Sequence, residues 1–600
     1  MTSKEQLLKE ACAHVSEIVD VIGVAKSDLD VSIVKKEVGL KSVSSRDRHI
    51  ESEVLEYNKK RTEELAILSG SPYFFKCDVK FDDANESEQV HIGKFNFSER
   101  QIYSWLSPVA KLRFEDIGNF SYTRPNGEVK SGKLMRKDQF MIADSQIIYM
   151  ASESTGSPRQ LIYQEHLSNR KAGFMLPEVI AKMEKQQDEV IRADFRGSYL
   201  ISGPAGSGKT TLALHRVAYL AQSPDTSEQF PSNNIILFVQ DDKTLEYFQA
   251  IFPQLGINDV LITTFQQWAL KLLNISDCEF VYRYGGTEIE CDEYEYMKQT
   301  SLKKFAASHT NITLRDLGGI YNGFENLFSR QMSEKKLDRF DLIILLLNQY
   351  YREGALKKEA FCVVKKKNGQ YKSEQRMLPL KYSLMIVDEV QNYLAEEIMI
   401  LKSCINANSA MLYTGDLAQK TKLCTIEDWS QAGEIFTDGR KIVLDKVYRS
   451  TKEILAYIRS RGYDVDIPKE LRSGTEVVER RFSVKGDELM YVKEVVEKNS
   501  DTTIGILNNS GEYLNDYKNI FAEYKNVHML TTLEAQGVEF EILILVGHEA
   551  DKVCDYADEK LRTEKRRVER DLNYVAMTRA MNELYVCATK STLDKRFFLG

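Results

Sequence analysis

Residues 203–210 read Gly203-Pro204-Ala205-Gly206-Ser207-Gly208-Lys209-Thr210, a glycine-rich run that closes on a lysine and a hydroxyl. The chemistry this suits is phosphate binding. Backbone N–H groups must converge on phosphate oxygens, and only glycine lets the chain come that close. Lys209 is then placed to reach the β- and γ-phosphates, and Thr210 to hold Mg²⁺. A second candidate is Asp388-Glu389, which follows the apolar run Leu384-Met385-Ile386-Val387. A carboxylate at the end of a buried strand completes a Mg²⁺ shell, and its neighbour polarises an attacking water. Asp388 is assigned to the metal and Glu389 to general base, with ATP and Mg²⁺ as the expected cofactors.

These residues need elements to hold them. Tyr199-Leu200-Ile201 is a short apolar strand that runs into the glycine loop. A helix starting at Lys209 aims its positive end at the same phosphates. Val179, Ile180, Met183, Gln187, Val190 and Ile191 predict a further helix over 175–195. Nearer the amino terminus, Leu8, Cys12, Val15, Val19 and Ile22 recur at helical spacing. Ile50, Val54, Tyr57, Arg61, Leu65 and Leu68 do so again, which predicts a helical hairpin over 1–70. Asp28 and Asp30 fall near its expected tip. Residues 71–150 read as a small β-rich unit with a turn at Asn126-Gly127. Residues 273–380 read as an insertion, mostly helical, with a hairpin at Lys367-Asn368-Gly369-Gln370.

The chain has 600 residues, a formal net charge of −8, 43% hydrophobic and 28% charged residues. That composition excludes a disordered, collagen-like or disulfide-stapled chain. The acidic balance argues against a surface that coats nucleic acid everywhere, while leaving room for a local basic track. The apolar run Leu342–Leu347 is far short of the ~20 residues that span a bilayer. The start lacks the apolar core of a signal peptide. The nine cysteines are scattered without metal-ligand spacing, which predicts reduced thiols and a cytoplasmic protein.

Several motifs together resemble superfamily 1 helicases of the UvrD/Rep type. Asp388-Glu389-Val390-Gln391 is similar to the DExQ box, and Gly415-Asp416-Leu417-Ala418-Gln419 to the GDxxQ coupling motif. Gln187 lies 22 residues before Lys209, where that family keeps an adenine-reading glutamine. Tyr448-Arg449-Ser450-Thr451 resembles the NYRST box without its Asn. Gly537-Val538-Glu539-Phe540 resembles KGLEF without its lysine, and Tyr574–Ala580 resembles the arginine-finger motif. The resemblance implies an α/β chain with two RecA-like P-loop NTPase domains built on parallel sheets. The first would span 175–272 plus 381–440 and the second 441–600. It implies catalytic roles for Lys209, Asp388, Glu389, Gln419, Arg449 and Arg579. Nucleotide contacts would come from Gln187, Gly203 through Thr211, Tyr448 and Glu539. Arginines supplied from a second domain suit a γ-phosphate that leaves with spread negative charge.

A narrower resemblance lies outside the motor. Ser71-Pro72-Tyr73-Phe74-Phe75, Trp105-Leu106-Ser107-Pro108-Val109-Ala110, Tyr122–Gly127 and Arg136–Phe140 are similar to the amino-terminal part of HelD-type proteins. That branch binds bacterial RNA polymerase, with a coiled coil that enters the secondary channel. The resemblance implies RNA polymerase core as a partner, engaged through the hairpin, and DNA or RNA as a track for a monomeric motor.

The departures from the family bear on nucleic acid. The strand Ile235–Val239 ends in Gln240-Asp241-Asp242 where a Thr-Phe pair is usual, and Lys420-Thr421-Lys422 follows Gln419 in place of aromatic and Arg residues. Thr264-Phe265 survives and is the candidate nucleic-acid contact. Lys365-Lys366-Lys367 and the stretch Arg562, Lys565, Arg566, Arg567, Arg570 are locally basic. The first expectation is therefore an ATP-driven motor that releases or recycles RNA polymerase. A 3′–5′ DNA helicase or translocase in repair or phage defence is the alternative. A nucleotide-gated binding protein with no track is a third.

Overall fold

The computed structural model describes residues 4–39, 48–124, 127–154, 185–193, 195–204, 207–223, 226–252, 255, 257, 259–308, 312–321, 323–365, 371–437, 439–444, 450–465, 467, 471–500, 502–524, 526–535, 538–548 and 556–589. The chain divides into two compact units. One comprises Met1–Ala193, Arg216–Glu228 and Gln254–Gly256, and the other comprises Asp194–His215, Gln229–Pro253 and Ile257–Gly600.

The first unit opens with helices α1 (Lys4–Gly39) and α2 (Arg48–Gly70). Their apolar stripes meet: Val15, Ile18 and Ile22 share a core with Leu65 and Leu68, and with Tyr73 and Phe140 from the strands that follow. Lys36–Glu51 (2.6 Å) and Lys59–Glu37 (2.8 Å) link the helices farther out. Asp28 and Asp30, expected near the hairpin tip, sit inside α1, which continues to Gly39. The hydrogen-bonded helix simply runs on past them, since nothing between Asp28 and Gly39 breaks its pattern.

The strands β1 (Phe75–Phe81), β2 (Glu88–Gly93), β3 (Ile102–Ser104), β4 (Gly118–Thr123), β5 (Val129–Ala143) and β6 (Gln146–Ser154) form one sheet. Its order is β3-β2-β1-β5-β4, with β6 also on β5. A 3₁₀ turn at Pro108–Arg113 and the helix α3 (Lys185–Arg192) also belong to this unit.

The second unit holds two parallel sheets. The first has β7 (Gly197–Ser202), β8 (Ile235–Val239), β9 (Leu261–Thr264), β14 (Tyr382–Val387), β15 (Ile405–Thr414) and β16 (Lys441–Val443), in the order β16-β7-β15-β14-β8-β9. All of its pairs are parallel. Buried on both faces, such strands read as near-continuous apolar runs; every residue of β8 and of β14 is buried. Helix α4 (Lys209–Gln222) follows β7. Lys441–Val443 pairs with β7, so the first sheet extends three residues past the boundary expected at 440. That edge strand is too short to carry a periodic signal of its own.

Between β9 and β14 lie α6 (Phe265–Leu273), α7 (Glu288–Ser308), α8 (Glu325–Ser333), α9 (Arg339–Glu353) and the antiparallel pair β12 (Lys357–Lys365) and β13 (Tyr371–Pro379). The short α5 (Asp242–Ile251) precedes β9. The run Leu342–Leu347 lies within α9, and its core joins that of the first sheet. The second sheet has the order β17-β21-β20-β18-β19, also parallel, from Val478–Phe482, Ala580–Thr589, Phe540–Leu545, Ile504–Asn508 and Val527–Thr531. Helix α14 (Glu559–Met577) leads into β21. No helix among the described residues is long and apolar enough to cross a membrane.

Candidate functional site

The glycine loop leaves the end of β7 with Gly203 at φ 151°. A Cβ there would stand 2.5 Å from the carbonyl oxygen of Leu444 and 3.0 Å from Ser207 Oγ, so no side chain fits. Gly208 has φ 87°, and α4 begins at the next residue. Ala205 and Gly206 lie outside the described residues. Lys209 is buried, and its ammonium donates to the carbonyls of Gly203 (2.9 Å) and Pro204 (3.0 Å). Burial holds its pKa below the ordinary lysine value. Glu389, Asp416 and Asp388 oppose that shift, and Arg579 adds to it. Three carboxylates and a second cation therefore act on one ammonium.

Asp388 directly follows the buried strand β14 and is itself 5% exposed. Its Oδ1 accepts hydrogen bonds from Thr210 Oγ1 (3.1 Å) and from Thr414 Oγ1. Burial raises its carboxyl pKa well above the usual range, and the charge of Glu389 raises it further. A buried carboxylate beside another is relieved by a cation. The donors at hand, one hydroxyl and one carboxylate, are hard oxygens of the kind Mg²⁺ prefers. Thr210 and Asp388 thus fit such an ion. Thr211 lies in the same first turn of α4.

Glu389 departs from β14 at φ 50° and its carboxylate accepts from Gln391 Nε2. The same amide nitrogen reaches the carbonyl of Gln419 at 3.4 Å, and Gln391 Oε1 accepts from the backbone of Asp416 at 3.1 Å. Gln419 Nε2 donates to Asp416 Oδ2 (2.6 Å) and to the carbonyl of Gly203 (3.4 Å). A single network thus runs from the glycine loop to Glu389. Gly415 makes this possible: at φ 153°, its Cβ would fall 2.2 Å from Gln391 Oε1 and 3.0 Å from Val390 N. Gly415→Ala is expected to cost about 1–3 kcal/mol of stability, from backbone strain and loss of this contact. Thermal unfolding checks it, and a variant as stable as the parent would contradict the close approach.

Arg579 follows α14 and is buried; its side chain donates to the carbonyl of Val575 (3.1 Å) and to Thr578 Oγ1 (3.4 Å). Burial pushes the nearby Tyr574 hydroxyl up to about 12, helped by Asp416 and opposed by Arg579. Lys209, Thr210, Asp388, Glu389, Gln419 and Arg579 are thus gathered in one region, from both sheets of the second unit. Glu539 is partly buried just before β20. Tyr448 and Arg449 lie outside the described residues. Gln187 sits on α3 in the other unit, and its side chain is not among those described.

Sequence reasoning gave no role to Thr414, Gln391 or Asp416. The register Val387↔Tyr413 sets Thr414 level with Asp388, so the only signal was its place directly before Gly415-Asp416.

The candidate nucleic-acid contacts come out differently from expectation. Thr264 is fully buried and caps α6, accepting from Gln267 N at 3.3 Å. Phe265 is 4% exposed and packs against Trp268. Stacking needs an open ring face, and α6 turns this ring into the core instead. The basic stretch on α14 is also largely engaged. Lys565 pairs with Glu288 (3.0 Å) and Asp292 (3.0 Å) of α7, Arg567 donates to Leu417 O (3.0 Å), and Arg570 to Gly462 O (2.7 Å). Lys422 donates to Gln240 at 2.8 Å. Lys366 and Lys367 lie outside the described residues.

Residues 403–591 match the UvrD-like helicase C-terminal domain. Among curated proteins, the ATP-dependent DNA helicases PcrA of two Staphylococcus epidermidis strains, RP62A and ATCC 12228, are each 22% identical over 312 residues. The match covers 46% of this chain and 39% of each relative, so the chain spans about two fifths of their length. A solved structure described as the C-terminal domain of a possible DNA helicase from Lactobacillus plantarum WCFS1 aligns with 24% of this chain and 88% of its own. Its identity is 19% and its TM-score 0.18, too low to carry a structural argument.

Proposed function

We propose that this chain, which carries a UvrD-like helicase C-terminal domain and resembles superfamily 1 helicases of the UvrD/Rep type, is an ATP-driven motor that remodels nucleic-acid complexes. The observation that carries the reading is the gathering of Lys209, Asp388, Glu389 and Arg579 from two parallel sheets, close enough for their charges to act on one another. In this reading ATP binds at residues 203–211 with its γ-phosphate toward Lys209 and Arg579. Mg²⁺ held by Thr210 and Asp388 would neutralise phosphate charge. Glu389 takes the proton of the attacking water, and Gln391 holds its carboxylate in place. Lys209 and Arg579, with Arg449, meet the negative charge that spreads over the leaving phosphoryl group. Gln419 bonds both the loop carbonyl of Gly203 and Asp416, so it is placed to pass the state of the phosphate along.

The load of the motor is the finer question. Burial of Phe265 and the internal pairing of Lys565 and Lys422 remove three described candidates for gripping single strands. With the helical pair α1–α2 and the resemblance of 71–150, this favours a protein machine on nucleic acid, RNA polymerase, as the load. The similarity to helicases named as DNA-acting favours the second reading, a 3′–5′ DNA helicase or translocase. Phosphate release measured with single-stranded DNA, RNA and RNA polymerase added in turn separates the two. Stimulation by polymerase, with capture of polymerase from lysate, is expected for the first. Strong stimulation by DNA alone, with directional strand displacement, would replace it by the second.

A further inference from the structure

Helix α1 meets the sheet of the first unit through two histidine rings. His14, half-buried on α1, stacks on His91 of β2 with ring centroids 4.6 Å apart and planes 27° from parallel. Tyr73 closes the group. Its centroid lies 4.8 Å from that of His91 and 5.8 Å from that of His14, and its hydroxyl shares a hydrogen bond with His14 Nδ1 at 3.2 Å. His91 is 3% exposed, and neither of its ring nitrogens meets a hydrogen-bond partner among the described residues. Burying a neutral ring in this way is tolerable, but burying an imidazolium with no acceptor is far more costly. Val15, Ile18 and Ile22 of α1 share a core with Tyr73 and Phe140, so the stack sits one residue from the apolar seat of α1 on the strands.

Lys76 of β1 stands opposite His91 on one side and Asp138 of β5 on the other, so the three share a face, the one that bears Phe140. The carboxylates in reach are engaged. Asp138 accepts from Arg136 Nε (2.8 Å) and Ser152 Oγ (2.7 Å) and lies 3.7 Å from Lys76, as does Asp78. On α1, Glu17 pairs with Arg100 at 2.9 Å. Burial pushes the Tyr73 hydroxyl well up, helped by Asp138 and Cys12, so it stays protonated. The α2 side of this core, Leu65 and Leu68, is apolar. Burial, then His14 and Lys76, holds His91 down to about 3. Burial, Lys76 and Arg100 also hold His14 below its ordinary value, against Glu17. The stack therefore holds as two neutral rings, and each proton it takes up is opposed by burial and by the charge of Lys76.

We propose that the His14–His91 stack is an acid-opened joint: neutral, it seats the amino-terminal part of α1 on the sheet; protonated, it frees that helix while the strands stay folded. The joint lies within the first unit and is independent of the nucleotide reading. Both seated rings titrate below the ordinary 6.5 of an exposed imidazole, so the released helix and strand bind more protons than the seated ones. The seat is therefore fully held above about pH 6.5 and loses its hold as pH falls from there toward about 3. From His91 alone, release becomes about thirtyfold easier between about pH 7.5 and about pH 5, and His14 adds to it.

The test uses the full chain and reads backbone hydrogen exchange by mass spectrometry, corrected for the intrinsic pH dependence of exchange. The peptides followed cover residues 4–22 of α1, β1 and β8. Protection of 4–22 should fall about thirtyfold or more from about pH 7.5 to about pH 5, while β1 and β8 keep theirs. In His91→Phe, which keeps a ring without its charge, most of the fall should disappear, and in His14→Phe/His91→Phe all of it should. Should His91→Phe fail to fold, the half-buried His14→Gln takes its place and should show a smaller fall than the parent. Lys76→Met removes the opposing cation, lets the seated rings take up protons more readily and should lessen the fall as well. Unchanged protection of 4–22 in the parent across that range would overturn the proposal. So would a parent-sized fall in the double variant or in His14→Gln. An equal loss of protection in β1 would overturn it too, because the whole unit would then be unfolding.

Discussion

Lys209→Ala is expected to reduce ATP turnover by at least about 10²–10³-fold, the range seen when one preorganised charge-stabilising donor is lost from an enzyme site. The argument is electrostatic and local. Lys209 is 7% exposed, and its ammonium is held by two loop carbonyls, so its charge is fixed before any phosphate arrives. Burial alone would weaken that charge; Glu389, Asp416 and Asp388 keep it in place. Removing the lysine does more than subtract one attraction. It leaves three carboxylates facing the region where an anionic triphosphate would bind, with Arg579 still acting there as a cation. Binding and turnover should therefore fall together, and ATP affinity and phosphate release measured on the same variant would read both. Parent-rate hydrolysis in folded Lys209→Ala would end the assignment of 203–211 as the working nucleotide site.

The parts of this site that were legible in the sequence are those written locally. The glycine loop, its lysine and the preceding apolar strand lie within a dozen residues. The Asp388-Glu389 pair announces itself because it follows the apolar run Leu384–Val387, in a strand whose residues are all buried. What stayed hidden depends on register. Thr414 meets Asp388 only because β15 lies beside β14 with Tyr413 opposite Val387. Gln391, Asp416 and Gln419 were visible as motif letters, but their joint link from Gly203 to Glu389 needs the chain to bring 203, 391 and 416 together. Charge runs misled for a similar reason. Lys565 reads as part of a basic helix face, and its partners Glu288 and Asp292 are more than 270 residues away in sequence. Phe265 misled in the opposite direction: an aromatic after a strand can face solvent or core, and only packing against Trp268 decides it. The fold class itself, α/β with parallel sheets, was implied by the motif resemblance, and the apolar runs of β8 and β14 are what parallel strands covered on both faces leave in a sequence. The edge strand Lys441–Val443 was not legible, because two of its three residues are exposed.

The second large effect is expected at Arg579. Arg579→Ala should lower turnover by about 10³-fold or more, the scale on which a finger arginine acts in phosphoryl transfer. Its backbone is well fixed. It sits between the end of α14 and the start of β21, its carbonyl accepts from Phe540 N at 2.9 Å, and α14 is held to the first sheet's half by the bond from Lys420 N to Asp571 at 3.0 Å. Its side chain is satisfied by Val575 O and Thr578 Oγ1, two contacts within its own turn that a phosphate oxygen can outcompete, since charge-assisted bonds to anions are the stronger kind. Arg579 also lowers the pKa of Lys209, which means the two cations repel. Negative charge placed between two such cations is attracted by both, and the attraction grows as charge spreads over the leaving phosphoryl group. The loss in Arg579→Ala should accordingly fall on kcat, with ATP affinity changed much less. Arg579→Lys should recover little, because one ammonium cannot present the planar fork of a guanidinium to two phosphate oxygens. Single-turnover phosphate release at saturating ATP measures this directly, and a variant within about tenfold of the parent would exclude Arg579 from the transition state.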